Sequence, residues 1–275
     1  MTKNAVQMNT SNMYKFIEEK KEHLHTYEGK PLYGTTSIVG VIKPASPLMW
    51  YASGKALEAL GFTNSKKVNR EDGIKIAGKA RKNFFIKNEE YYDWLQECYR
   101  AHSTHKDKKA DEGTEMHSQL EKYVTACIME NSGTPLAHTI NEDTKVSQFI
   151  DWALVNVDTF LWSEAHCFSK DLWVGGISDL GFLKNDKLFV GDFKSSKDAY
   201  VDQFWQAAGY GLQLKENGAL TSDGEVEKKI GFIHGYVVFP FGAEKLEPKF
   251  NYDVAGNEEA FKACLIIYKQ YQSMK

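Results

Sequence analysis

The sequence predicts an α/β protein in which a mixed central β-sheet is flanked by helices and preceded by a helical N-terminal region. The first observation is a hairpin: two strand-like runs, 176–183 and 187–193, are joined at Asn185-Asp186, a pair typical of a two-residue loop. The second observation is that segments with a helical pattern of apolar residues both precede and follow this hairpin in the sequence. Helices interspersed with strands favour a sheet that is covered by helices.

The remaining elements follow from the period of their apolar residues. In the N-terminal part, a charged amphipathic pattern predicts a helix over Met13–His25, and β-branched residues predict a strand over Thr35–Ile42. Further helices are predicted over 48–60, 89–101, 113–130, 146–157 and 258–274. Extended segments are predicted over 159–168 and 230–239. We expect residues 1–110 to form a helical, basic region and residues 111–275 the core, together in one compact unit.

Composition limits the classes of protein that this chain can belong to. The chain has 275 residues, 42% of them hydrophobic, which is enough for one large domain with a substantial core. No apolar run approaches the roughly 20 residues that span a bilayer, and the N-terminus has no apolar signal segment. We therefore expect a soluble, intracellular protein without a membrane partner. Cys98, Cys127, Cys167 and Cys264 form no C-x-x-C motif and are predicted to be buried free thiols.

The hairpin register brings two carboxylates together. With Asn185 and Asp186 as the loop, Asp179 lies directly across from Asp192, and cross-strand Cβ atoms stand roughly 5 Å apart. Two such carboxylates repel each other unless a positive charge lies between them, and a divalent cation is the obvious candidate. The period of two brings Lys194 to the same face. This convergence of charges predicts a site at the strand end.

A D-x-K triplet alone is a common pattern. The stretches 107–109 and 143–145 also fit it, and both are expected on solvated surface. The context of residue 192 differs, because its strand is largely apolar and an unpaired acid there would be costly to bury. Glu164 supplies a third acid on the preceding extended segment. Gln206 and Tyr210 follow on a helix, where positions i and i+4 share a face.

Taken together, these residues resemble the PD-(D/E)xK nuclease superfamily, and more narrowly its RecB-like exonuclease branch, which includes phage-encoded exonucleases and the mitochondrial genome maintenance exonuclease. The resemblance covers roughly residues 34–215. It rests on five ordered elements, which in chain order are G-T-x-x-H ending at His117, Glu164, G-G-I-S-D ending at Asp179, G-D-F-K ending at Lys194, and Q-A-A-G-Y ending at Tyr210. The resemblance implies a restriction-endonuclease-like core.

The resemblance also implies a metal site. Asp179 and Asp192 would bind the cation, together with His117 and the backbone carbonyl of Phe193. Imidazole with two carboxylates suits Mn²⁺ at least as well as Mg²⁺. Some relatives hold an iron–sulfur cluster through four cysteines, three of them clustered near the C-terminus. That clustering is absent from this sequence, so we predict no iron–sulfur cluster.

The remaining roles follow from the same resemblance. Lys194 would orient the attacking water or stabilise charge on the phosphate, and Glu164 would complete the site or bind a second metal. Gln206 and Tyr210 would position the phosphate or the strand. Lys197 is a weaker candidate for a phosphate contact.

The implied activity is that of a metal-dependent DNA exonuclease acting on linear ends, single- or double-stranded, in recombination, repair or phage DNA processing. An endonuclease of the same fold and a non-catalytic DNA-end binding protein stay open. It also stays open whether the protein forms a homo-oligomer, whether it has a recombination partner protein, and whether it acts in the cytoplasm of a bacterial host. Net charge is −3, but residues 66–109 hold 12 basic and 7 acidic residues. This basic segment suits a phosphodiester substrate, although a solvated surface would explain it equally well.

Overall fold

The computed structural model describes residues 13–19, 22–42, 52, 54–56, 88–137 and 144–274. Contacts divide the chain into two units, one formed by Met1–Ile42 with Glu115–Lys275 and the other by Lys43–Thr114. The first of these units holds both β-sheets and the residues of the candidate site. Most of the helix predicted over 48–60 lies outside the described residues. The same is true of the basic segment between 66 and 87.

The first described residues form a small antiparallel sheet, so the helix predicted over Met13–His25 is wrong. Its strands are β1 (Tyr14–Glu19), β2 (Glu22–Tyr27) and β3 (Lys30–Pro31). Tyr14 and Phe16 lie on one face of β1, with ring centroids 4.8 Å from Phe168 and 4.5 Å from His166 respectively. Aromatic residues two apart fit a half-buried strand. Their burial outweighs the helical pattern of the charged residues between them.

The strand predicted over Thr35–Ile42 is also wrong. The chain forms a short strand β4 (Tyr33–Gly34) and then helix α1 (Thr35–Gly40). Ile38 and Val39 are both fully buried and share a cluster with Val174 and Phe261. Consecutive residues point to opposite faces of a strand but to adjacent positions on a helix. The β-branched residues lower helix propensity only slightly, so this packing decides the conformation.

The larger sheet is mixed and confirms the predicted fold class. Its further strands are β5 (Thr159–Ser169), β6 (Val174–Lys184), β7 (Lys187–Lys194), β8 (Ala219–Leu220), β9 (Val226–Lys228), β10 (Ile233–Pro240) and β11 (Lys249–Asn251). Among the described residues the order is β11-β10-β7-β6-β5-β8-β9, and β4 pairs with β6. The pairs β10–β7 and β4–β6 are parallel, while the other pairs are antiparallel.

Helices cover both faces of this sheet. They are α2 (Asn88–Asn131), α3 (Thr144–Asn156), α4 (Val201–Asn217) and α5 (Val254–Ser273). Val237 of β10 packs in a cluster with Phe149 of α3, while the next residue, Val238, packs in a cluster with Leu214 of α4. Alternate strand residues therefore face different helical layers, as expected of a strand that is apolar on both faces. No helix in the described part of the chain is long and apolar enough to cross a bilayer.

Helix α2 is continuous across 102–112, where the sequence predicts a break between two helices. The intervening residues are mostly lysine, alanine, aspartate and glutamate. Lysine, alanine and glutamate are good helix formers even without an apolar stripe. From Glu115 onward α2 belongs to the first unit, and this part carries His117.

Candidate metal centre

The β6–β7 hairpin sets the geometry of the site. Asn185 and Asp186 have φ angles of 51° and 58°, as a two-residue hairpin loop requires. The strands pair from Lys184↔Lys187 to Leu180↔Gly191, which confirms the predicted register. Asp179 and Asp192 are the next opposed positions.

The ladder of main-chain hydrogen bonds between β6 and β7 ends at these two acids. There the Asp179 side chain, and not its backbone, accepts the next hydrogen bond from β7. Its Oδ2 atom accepts a hydrogen bond of 2.6 Å from the backbone N–H of Phe193. Asp179 is 8% exposed and Asp192 1%. Both carboxylates are thus held where β7 leaves the edge of β6.

His117 reaches the same point from helix α2. Its Nε2 atom lies 3.0 Å from the Phe193 carbonyl oxygen, which can only accept a hydrogen bond, so Nε2 carries the proton. In the neutral ring Nδ1 then has a free lone pair, and Nδ1 lies 3.9 Å from Asp179 Oδ2. A hydrogen bond that fixes the tautomer in this way is the usual support of a metal-binding histidine. The Phe193 carbonyl, which the resemblance assigns to the metal, is engaged with His117.

Glu164 completes a group of three potential ligands. The pairs Ser163↔Leu180 and Ala165↔Ser178 place Glu164 opposite Asp179. Glu164 has a φ of 48°, in the left-handed region that costs a non-glycine residue about 1–3 kcal/mol. One ligand atom from each of His117, Glu164 and Asp179 lies within 4.8 Å of the other two.

This donor set fits a divalent cation. Metal–ligand bonds to nitrogen and oxygen are about 2.0–2.4 Å long, so atoms on opposite sides of an ion stand a little over 4 Å apart. The separations in the group of His117, Glu164 and Asp179 require only a small contraction. Two carboxylates and one imidazole suit Mg²⁺ or Mn²⁺ by their chemistry. The structure therefore contains a His/Glu/Asp group that could hold a metal ion.

The pKa of Glu164 reflects the excess of negative charge around this group of ligands. Burial, with further contributions from Asp179, Glu121 and Asp192, raises the pKa of Glu164 from 4.5 to about 8, while Lys194 opposes the shift. The carboxylate form of Glu164 is therefore poorly compensated by the protein's own cations. A bound cation would supply the missing positive charge.

Asp192 forms an ion pair with Lys194, which the sequence predicts on the same face. Its Oδ2 atom lies 2.6 Å from the Nζ atom of Lys194, and the lysine side chain is 22% exposed. Burial alone would lower the pKa of Lys194, but Asp192 and Asp179 outweigh it and raise the pKa above its usual value. Lys194 is therefore a firmly charged ammonium. Within the described residues, the three-membered ligand group does not include Asp192.

The helix after β7 brings Gln206 and Tyr210 together. Gln206 Nε2 donates a hydrogen bond of 2.8 Å to the Tyr210 hydroxyl and one of 3.3 Å to Thr36 Oγ1. Burial, and then the charges of Asp192 and Asp179, raise the pKa of Tyr210 well above its usual value. The hydroxyl is thus neutral and close to the acids.

One predicted site residue, Lys197, lies outside this group, and one residue of the group, Thr36, was not predicted. Lys197 is exposed in the segment between β7 and α4. Thr36 is not among the site residues that the sequence predicts, yet its hydroxyl lies 3.4 Å from that of Tyr210. This contact depends on the pairing of β4 with β6, which the Thr36-Ser37-Ile38 sequence does not reveal. Only its hydroxyl-rich composition hints at a polar role.

The cysteines lie in separate parts of the core. Cys127, Cys167 and Cys264 are buried in three different hydrophobic clusters, and Cys98 is buried on α2. This agrees with their prediction as buried thiols. In the described part of the chain, the ligand group contains no cysteine.

Comparison with known proteins neither supports nor contradicts the sequence resemblance. No protein-family model matches the chain, and no curated protein is significantly similar to it in sequence. The resemblance to RecB-like exonucleases therefore depends on the motifs and on how the fold arranges them.

Proposed function

We propose that this protein is a divalent-metal-dependent deoxyribonuclease that hydrolyses phosphodiester bonds from DNA ends. The observation that carries the proposal is the convergence at one strand end of His117, Glu164 and Asp179, with a buried Asp192–Lys194 ion pair beside them. An acidic group that binds a divalent cation, next to a fixed ammonium, is suited to an anionic substrate whose charge increases in the transition state.

His117, Glu164 and Asp179 would hold Mg²⁺ or Mn²⁺, the cations that their donor atoms fit. Such an ion, when bound, polarises a phosphate and lowers the pKa of bound water toward neutrality. The protein's part is to fix the ligands in advance. The Phe193 backbone does this on both sides, since its N–H binds Asp179 and its carbonyl binds His117.

Lys194 supplies the second positive charge. Its ammonium has three N–H donors, and the Asp192 carboxylate takes one of them. Among the described residues Asp192 is its ion-pair partner, so the remaining donors would orient a water molecule or bind a phosphate oxygen as negative charge develops. Asp192 thereby acts as the residue that positions Lys194.

Gln206 and Tyr210 would contact the phosphate from helix α4. Because Gln206 donates to the Tyr210 oxygen, the tyrosine proton points away from Gln206. The raised pKa keeps that proton in place, so the hydroxyl is a hydrogen-bond donor. A neutral donor beside two carboxylates binds a phosphate oxygen without adding to the charge of the acidic group.

The test compares the wild-type protein with Asp179→Asn on end-labelled linear DNA and on covalently closed circular DNA of the same sequence. Each is incubated with Mg²⁺, Mn²⁺ or EDTA. Asp186→Asn, on the exposed loop of the same hairpin, is the matched control. We expect metal-dependent loss of linear DNA with the wild type and the control, and no loss with Asp179→Asn.

Two other outcomes would change the assignment. Cleavage of the closed circle would make the protein an endonuclease. Absence of cleavage in a folded wild-type protein under every metal condition would favour a non-catalytic DNA-binding protein.

A further inference from the structure

Strand β6 has an open stretch of edge beside the metal centre. On the side away from β5, β4 pairs with Val174 and Gly175, and β7 pairs with β6 from Leu180 onward. Among the described residues, positions 176–179 have no partner strand on that edge. At about 3.3 Å per residue the opening is roughly 10 Å long, and Asp179 lies at one end of it.

A cavity of about 260 Å³ occupies the other end of this opening. We call it the hydroxyl pocket: it is lined by His25, Gly34, Thr35, Thr36, Ser37, Gly175, Gly176, Ile177 and Tyr210. Its volume is just below the range of about 300–1,000 Å³ for pockets that hold drug-sized ligands. It therefore suits one nucleoside and is too small for a strand that passes through.

The pocket has a wall opposite the metal centre. His25 lines it at Gly175, where a Cβ atom on the glycine would stand 2.5 Å from the His25 Cβ. The Tyr14 hydroxyl lies 2.6 Å from His25 Nδ1, and both side chains are buried. A DNA strand that runs along β6 from Asp179 would meet this wall after about one nucleotide.

The chemistry of the lining favours an uncharged group. Among the described residues, no lysine or arginine lines the pocket, and its polar side chains include the hydroxyls of Thr36, Ser37 and Tyr210. The nearby carboxylates of Asp179 and Asp192 make the surroundings negative, so a phosphate is favoured only beside Tyr210 and the metal ligands and not deeper in the pocket. A sugar and a base are neutral and rich in hydrogen-bonding groups, so they fit this lining better.

We propose that the hydroxyl pocket receives the terminal nucleoside of a DNA strand, and that it thereby selects ends over internal positions. This inference rests on the proposed nuclease function and adds to it the origin of end selectivity. The phosphate that follows the terminal nucleoside then lies at Asp179, next to the metal ligands. Thr36 joins the two parts, because its hydroxyl contacts both Gln206 and Tyr210.

Gly34→Leu is the variant that fills the pocket. Gly34 has φ −72° and ψ 131°, which leucine adopts without strain. Of the atoms that the structure describes, its Cβ would meet only Ser37 Oγ, at 3.5 Å. Gly40→Leu is the matched control at the other end of α1, where a Cβ would have no neighbour within 4 Å among the described residues. Ser37→Leu, at an exposed position that also lines the pocket, is a second filling variant in case Gly34→Leu does not fold.

Two measurements separate this inference from the nuclease proposal. The first titrates deoxyadenosine into each folded variant by saturation-transfer NMR and needs no cleavage. The second measures KM and kcat on an end-labelled linear oligonucleotide. We expect deoxyadenosine to bind the wild type and Gly40→Leu, and the filling variants to weaken it roughly tenfold or more. KM should rise by a similar factor with kcat nearly unchanged, since the lost contacts do not involve the reacting atoms.

The possible results are distinct. Absence of deoxyadenosine binding to the wild type, or equal binding and equal KM in the filling variants, would overturn the pocket assignment while leaving the nuclease intact. Deoxyadenosine binding that the filling variants abolish, without any DNA cleavage, would support the pocket and contradict the nuclease proposal.

Discussion

Glu164→Gln is expected to remove a pH dependence of stability that the metal-free protein shows. Folding raises the pKa of Glu164 from 4.5 to about 8, chiefly through burial and secondarily through Asp179, Glu121 and Asp192. The folded chain therefore binds a proton in a pH range where the unfolded chain has released it. The free energy of unfolding consequently falls as the pH rises from about 4.5 to about 8. Glutamine resembles the protonated acid and does not titrate.

The size of the effect follows from the shift. One pKa unit corresponds to about 1.4 kcal/mol, so raising the pH from 5 to 7 should lower the wild-type stability by about 2–3 kcal/mol relative to Glu164→Gln. This is an upper value, because Glu164 is only partly buried and water screens part of the interaction.

Urea denaturation in EDTA at pH 5, 6, 7 and 8 measures this difference. The control is Glu227→Gln, at an exposed position on β9 that is remote in sequence from the site. The control should follow the wild type, while the difference between Glu164→Gln and the wild type should grow with pH. Parallel curves for all three proteins would refute the claim that Glu164 lies in a crowded acidic site.

Three further predictions concern charge, packing and metal. Lys194→Met should destabilise the fold by about 3–5 kcal/mol, because it removes the ammonium that balances the charge of the buried Asp192 carboxylate. Adding Asp192→Asn should restore most of this stability in urea denaturation. Gly181→Ala should cost about 1–3 kcal/mol, because its methyl group would overlap the buried Trp162 ring. Mn²⁺ at 100 times its Kd should raise the free energy of unfolding by about 2.7 kcal/mol. Mn²⁺ should bind more weakly at pH 6 than at pH 8, because protons compete with the ion for Glu164.

Each of these has a clear contrary result. Unchanged stability in Lys194→Met would mean that the ion pair with Asp192 is not structural. A stable Gly181→Ala protein would show that the Trp162 ring can move aside. Gly40→Ala is its control, because in the described part of the chain a Cβ there has no neighbour within 4 Å. A stabilisation by Mn²⁺ that does not vary between pH 6 and pH 8 would place the ion away from Glu164.

The parts of the fold that depend on local chemistry could be predicted from the sequence. The Asn185-Asp186 loop fixes the β6–β7 register without reference to the rest of the chain. The i and i+4 spacing of Gln206 and Tyr210 predicts their contact for the same reason. These local rules are sufficient to bring Asp179 and Asp192 to one strand end.

The two predictions of secondary structure that are wrong concern segments whose conformation depends on packing against residues distant in sequence. The segment predicted as one helix over Met13–His25 contributes instead to β1 and β2, because Tyr14 and Phe16 pack against Phe168 and His166, about 150 residues away in sequence. Thr35–Gly40 is helix because Ile38 and Val39 pack together on one side. Neither partner is visible in the local pattern.

The details of the site divide in the same way. That Asp192 pairs with Lys194 and leaves the ligand group to Glu164 depends on side-chain conformations. The φ of 48° at Glu164 is likewise a tertiary property. The sequence pattern therefore predicts that the acidic residues lie close together, but it does not predict which of them form the metal-ligand group.

The central claim is that His117, Glu164 and Asp179 form one divalent cation site, and a Mn²⁺ titration tests it most directly. Electron paramagnetic resonance of free Mn²⁺ would be followed as wild-type protein, Asp179→Asn and the control Asp186→Asn are added. We expect one ion to bind to the wild type and the control, and Asp179→Asn to weaken binding by at least about tenfold. Equal binding by Asp179→Asn, or no binding by the folded wild type, would contradict the account.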